Sequence, residues 1–181
     1  GRFAPYTGAS PYQASPAFAL IPHIERAYGT HHVRGGIGAL VEALGEAVRR
    51  LGVAVRLNAR ARYERTGRAG YLVGPTGEAE AYDSVVVNAD PLEALRREGA
   101  PLALSGYVLL LEVDGRRAVP HHTVLFSQDY RREFDELFSG RLADDPTVYV
   151  CNPSATDDTL APPGKTGLFV MVNAPPLPEG G

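Results

Sequence analysis

Arg34 to Leu40 reads RGGIGAL, a glycine-rich turn opening a helix, and it is the first stretch where the backbone could meet a ligand. Amides left free at a helix start attract anions, and glycines let a ligand come close to the chain. The spacing departs from the dinucleotide fingerprint, because no strand immediately precedes it and the third glycine falls elsewhere. A tight turn packed against a neighbouring element accounts for the same residues. Five histidines follow as His23, His31, His32, His121 and His122. Adjacent side chains on a strand face opposite sides, so each pair is expected to offer only one ring to a shared centre. No cysteine or carboxylate stands at ligand spacing beside them, and no metal site is expected. Cys151 lies in an apolar run, where a thiol is usually inert packing. Ser10, Ser105 and Ser154 lack a nucleophile elbow, so hydrolysis finds no support. Asp157 and Asp158 are adjacent carboxylates in a polar loop; a cation is one reading, solvation the expected one.

The elements that must position these groups are legible from periodicity. Pro16 to Tyr28 is expected to be helical, with Ser15 as N-cap, Pro16 at the first helical position, Gly29 beyond the end and an interruption at Pro22. Ile37, Leu40, Val41, Leu44, Val48 and Leu51 recur at three- and four-residue spacing, predicting a helix with one buried face that Gly52 stops. The period then drops to two: Val53, Val55 and Leu57 predict a strand continuing loosely to Tyr63. Gly74-Pro75-Thr76-Gly77 predicts a hairpin between strands at 70–73 and 78–82. Ser84 to Ala89 is a short apolar run that predicts a strand covered on both faces. Asp90, Pro91 and Glu93 then have the chemistry of a helix start. The last third predicts strands at 104–113, 122–127, 147–152 and 168–173. A helix over 128–138, stopped by Gly140, is expected to bury Tyr130, Phe134, Leu137 and Phe138. The loop from 153 to 167 is long and polar, a type more often functional or flexible than structural.

Composition narrows the classes of partner. With 181 residues and 44% hydrophobic content the chain can bury one ordinary core or two small ones. Its net charge of -3 comes from interspersed acids and bases, so no basic stripe tracks a phosphate backbone and no nucleic acid is expected. The single cysteine cannot form an internal disulfide, which fits a cytoplasmic location. The apolar run around Val108 to Leu111 is only a handful of residues, far short of the roughly 20 residues a spanning helix needs. Starting at Gly1-Arg2-Phe3 and stopping at Glu179-Gly180-Gly181, the chain is expected to be an internal piece of a longer protein.

Seven strings, taken in order, carry a resemblance. They are YTGASPY (6–12), PAFALIPHIERAYG (16–29), RGGIGALVEAL (34–44), GVAVRLNARA (52–61), VVVNADP (85–91), HHTVLFSQDYRREFDELF (121–138) and TLAPPGKTGLFVMVNAP (159–175). Together they resemble the middle of bacterial phytoene desaturases and carotenoid 3,4-desaturases, FAD-dependent enzymes of the amine-oxidase-like superfamily. The resemblance implies an α+β chain. A mixed, largely antiparallel substrate-domain sheet with helices would occupy residues 1–34 and 99–181, and a helix-and-strand piece of the FAD domain residues 35–98. It implies that the parent removes hydrogen from a long apolar polyene, with flavin taking a hydride equivalent. The alternatives are a carotenoid isomerase or retinol saturase type of flavoenzyme, or a non-catalytic module that binds an apolar ligand.

For individual residues the resemblance implies that Ala61, through its backbone, and Asn88, Ala89 and Asp90 neighbour the adenosine part of FAD. Ala61 stands where relatives commonly have valine. Asp90 is equally explained as a helix cap. Gly35 and Gly36 are implied to lie near the reacting end of the substrate, and His121 and His122 beside its tunnel without an assigned chemical role. The family's N-terminal glycine-rich fingerprint and its C-terminal flavin-contacting segment are not among the matching strings, so this segment alone is expected to be inactive and to hold no FAD. Phe18 to Ile24 is the stretch expected to touch a membrane peripherally, with an ordinary buried helix as its rival.

Overall fold

The computed structural model describes residues 8–66, 69–89 and 103–176. The chain divides into two compact units, one formed by residues 1–44 and 102–181 and the other by residues 45–101. Its strands are β1 (Arg62–Thr66), β2 (Ala69–Val73), β3 (Ala79–Tyr82), β4 (Ser105–Asp114), β5 (His122–Leu125), β6 (Val148–Cys151) and β7 (Lys165–Ala174). Its helices are α1 (Leu20–Tyr28), α2 (Gly36–Arg50) and α3 (Tyr130–Phe138). This is an α+β fold.

In the first unit a four-stranded antiparallel sheet runs in the order β4-β7-β6-β5. The two long strands pair along their whole length, from Ser105 opposite Ala174 to Asp114 opposite Lys165. The cross-strand ion pair between Lys165 and Glu112 reinforces that register. Helix α3 supplies the core. Asp129 caps it by accepting from the Arg132 amide at 3.0 Å. Its fourfold spacing then stacks Phe126, Tyr130, Phe134 and Phe138 edge on, or tilted, at centroid distances of 5.4, 5.1 and 6.4 Å. Phe134 and Leu137 are 1% and 0% exposed, each burial being worth about 1.5–3 kcal/mol. Tyr130 is half-buried, and Phe138 is 51% exposed rather than buried as its spacing predicts. The helix also buries two acids that periodicity does not anticipate. Glu136 accepts from the Arg132 guanidinium at 2.8 Å and the Asp144 amide at 3.0 Å, and Glu133 accepts from the Thr147 hydroxyl at 2.5 Å.

The first helical stretch begins as a 3-10 turn at Pro16–Ala19, with the Ser15 hydroxyl accepting from the Ala17 amide at 3.3 Å. It becomes α1 at Leu20, so Pro22 sits in the first turn, where a missing amide costs no helical bond. The change of helix type precedes the proline and replaces the interruption expected at Pro22.

In the second unit the Gly74–Gly77 turn joins β2 and β3, and β1 completes an antiparallel meander in the order β1-β2-β3. Two predicted strands are not formed. Residues 53–61 and 84–88 have no strand pairing, and Leu57 and Val86 are 81% and 92% exposed. A strand needs a hydrogen-bonded neighbour, and among the described residues these stretches have none. The apolar face of α2 also departs from expectation: Ile37, Leu40, Val41, Leu44 and Leu51 are all exposed. The helix start predicted at Asp90 lies outside the described residues. Among the described residues, no helix is long and apolar enough to cross a membrane.

Candidate functional site: a histidine and carboxylate junction

Gly35 and Gly36 both have positive φ, at 80° and 79°, a region that side chains other than glycine's rarely tolerate. A Cβ on Gly36 would also stand 3.2 Å from Leu160 Cδ2. This backbone turns the Gly35 amide onto the Asp157 carboxylate, which accepts it at 2.7 Å. The amide that could have bound an anion is therefore satisfied by the chain's own carboxylate.

Asp157 is buried, contrary to the expected solvation, whereas Asp158 is exposed. One carboxylate oxygen accepts from the Thr159 amide at 3.1 Å and its hydroxyl at 2.6 Å. The other meets the Gly35 amide and His32 Nε2, the latter at 3.4 Å. These bonds, led by the Thr159 hydroxyl and the Gly35 amide, hold the Asp157 carboxyl far below the usual carboxylate range. A cavity of about 400 Å³ opens beside this anchor, lined by His32, Arg34 and residues Thr156 to Thr159.

The second histidine pair belongs to the same neighbourhood. His32 meets His121 edge on at 5.5 Å between ring centroids, and His121 lies 4.4 Å from His122. His121 Nδ1 is 2.5 Å from the Thr156 hydroxyl, and His122 Nδ1 is 2.8 Å from the Tyr149 hydroxyl. Burial, followed by the neighbouring His122 and His32, pushes the His121 pKa below its ordinary value. The alternation that would separate the rings does not apply, because His121 precedes β5 and only His122 belongs to it. Cys151 is the direct cross-strand partner of His122, and one ligand atom from each of His121, His122 and Cys151 lies within 4.8 Å of the others. Gly35, Gly36 and His121 thus meet one loop, at Asp157, Leu160 and Thr156, and His122 adjoins them through His121. Sequence reasoning missed His32, Thr156, Asp157 and Thr159 as its organisers. Asp-x-Thr at 157–159 was the available signal, since an aspartate accepting from the amide two residues on starts a tight turn.

Ala61 and Ala89 lie in the second unit, where both line a cavity of about 720 Å³ with Ala59, Leu72, Val85 and Val87. Its wall is mostly small and apolar, with Arg60 and Arg62 at the same lining. Asn88 is exposed and does not line it, and Asp90 lies outside the described residues.

Residues 6–179 match the family described as flavin containing amine oxidoreductase. The chain is 29% identical, over 196 aligned residues, to 4,4'-diapophytoene desaturase (4,4'-diaponeurosporene-forming) of Staphylococcus aureus strains Newman, USA300 and NCTC 8325 / PS 47. Each alignment covers 97% of this chain and 39% of the relative.

Proposed function

The chain belongs to the flavin-containing amine oxidoreductase family, and from that premise we propose that it is part of an FAD-dependent desaturase acting on a long apolar polyene of the carotenoid class. The observation that carries this reading is the alignment with the diapophytoene desaturases across 97% of the chain. The chain spans 39% of their length, and the activity is assigned to a protein containing it.

The larger cavity of the second unit is the place where this chain fits a share of the cofactor. Alanines 59, 61 and 89 leave room for a flat ring, and Val85 and Val87 give it an apolar wall. Ala61 and Ala89 would hold the adenosine end there; the resemblance implies Asn88 and Asp90 as its further neighbours. When bound, the flavin supplies hydride acceptance as a carbon–carbon single bond becomes double. This chain's residues contribute position and dryness. In this reading residues 35–98 serve the cofactor, residues 1–34 and 99–181 serve the substrate, and Gly35, Gly36, His121 and His122 lie near the reacting region. Exposed Tyr107 to Leu111 on β4 offer the apolar lining a polyene needs. A water-insoluble substrate must be drawn from a bilayer, and Leu20 and Ile24, exposed on α1, support peripheral membrane contact of a cytoplasmic protein.

The test uses the purified full-length protein with FAD and liposomes carrying phytoene or 4,4'-diapophytoene. Growth of long-wavelength polyene absorbance is expected under turnover. Unchanged polyene together with oxidation of an amine would replace the reading with amine oxidation. Polyene isomerised without gain of double bonds would replace it with an isomerase.

A further inference from the structure

We propose that His121, His122 and Cys151 form a binding site for a divalent transition metal ion of the Zn²⁺ class. The proposal stands apart from the desaturase reading and rests on the geometry of the β5–β6 end. His122 and Cys151 face each other across the antiparallel pair, a placement that puts their side chains on one side of the sheet. His121 joins them from the bend before β5, its carbonyl fixed by the Asn152 amide at 2.8 Å. The Asn152 side chain donates to the Val119 carbonyl at 2.8 Å, tying the approach to His121 to the end of β6. Two imidazoles and a thiol are therefore carried on backbone held at both ends.

The spacing suits coordination. Ligand atoms within 4.8 Å of one another need only side-chain rotation to reach a common centre at about 2.0–2.3 Å from each. The neighbouring hydroxyls complete the pattern found around metal-bound histidines. Thr156 meets His121 at Nδ1 and Tyr149 meets His122 at Nδ1, so Nε2 of each ring, not engaged by these hydroxyls, is the nitrogen assigned to the metal. Imidazole and thiolate together select borderline or soft ions over Mg²⁺ or Ca²⁺. Three protein ligands leave a fourth position for water or another small donor. On binding, the Cys151 thiol loses its proton to solvent and its sulfur lone pair forms the bond to the metal, with no change of oxidation state.

Titration of the full-length protein with Co²⁺ as a spectroscopic probe tests this, with Zn²⁺ as competitor. One equivalent of Co²⁺ should produce thiolate-to-metal charge-transfer absorption that Zn²⁺ abolishes. Cys151→Ser should remove that band, and His122→Ala should weaken Co²⁺ affinity by on the order of 100-fold. Tyr149→Phe should weaken it by roughly tenfold, because the hydroxyl only orients the ring. Circular dichroism of each variant establishes that it is folded. Absence of a thiolate band at stoichiometric Co²⁺, or a band unchanged in folded Cys151→Ser, overturns the proposal.

Discussion

Helix α3 buries Phe134 and Leu137 to 1% and 0% exposure within nine residues. Helix α2, with fifteen residues and a longer apolar repeat, leaves Ile37, Val41 and Leu44 at 68%, 62% and 57%. Both helices obey the same local rule, apolar residues at three- and four-residue spacing. They differ in what surrounds them. Helix α3 has a cap at Asp129, an aromatic stack running along it, and buried acids tied to Arg132, Asp144 and Thr147. Helix α2 has a face of equal quality with no residue buried. Periodicity thus selects a helix and the side it would bury, while burial itself requires a partner surface.

The most forceful way to break this comparison is Phe134→Ala. It should cost about 3–5 kcal/mol, because the aromatic stack loses its central ring and leaves a cavity. Urea unfolding followed by aromatic fluorescence measures it, and a loss below about 1 kcal/mol would show that α3 is not the core of its unit. Leu44→Ala on α2 sharpens the contrast from the other side. In the isolated chain it should change stability by no more than about 0.5 kcal/mol, since Leu44 is already 57% exposed. In the full-length protein the same substitution should cost about 2–5 kcal/mol if the remaining sequence covers this face. Equal small effects in both would mean that α2 stays uncovered.

Acid should distinguish the helices next. The Glu136 carboxyl is held below its ordinary range, first by the Arg132 side chain and then by the Asp144 amide. A depressed folded-state pKa contributes stability that is present above the ordinary glutamate value and lost as pH falls through the lowered one. Midpoints of urea unfolding for the α3 unit should therefore fall as pH drops below about 4, and Glu136→Gln should flatten that slope. An unchanged slope in the variant would assign the acid sensitivity to other carboxyls, with Asp157 the foremost because its pKa is depressed further.

Legibility in the sequence followed the same division. The β2–β3 hairpin, all four strands of the larger sheet and the three helices were readable because turn chemistry and period are local properties. Strands at 53–61 and 84–89 were misjudged because Val53, Val55 and Val86 have the composition of a strand without a described neighbour to pair with. At the histidine junction, Gly35 and His121 could be singled out individually. Their meeting depended on the turn at Thr156 and Asp157: Asp157 accepts from the Gly35 amide 122 positions away and Thr156 meets His121, contacts that no spacing rule encodes. Glu133 and Glu136 were hidden for a related reason: acids on a helix read as solvent-facing until a specific donor, such as Thr147 or Arg132, is seen beside them.

Alkali offers the smallest and most local probe of α3. Burial, with Glu133 and Tyr12 adding to it, pushes the Tyr130 phenol up to about 12. Folding therefore favours its protonated form, and that contribution is fully present below the unfolded value near 10 and lost as pH rises through about 12. Ultraviolet titration should show a late-ionising component to which Tyr130 and, through its bond to Glu80, Tyr82 contribute, and that component should shrink in Tyr130→Phe. The substitution should also reduce the loss of stability between pH ~10 and ~12, because phenylalanine keeps the stack on Phe126 and Phe134 without a proton to lose. A late component undiminished in Tyr130→Phe would place the shielded phenol elsewhere and weaken the claim that α3 is the better-covered helix.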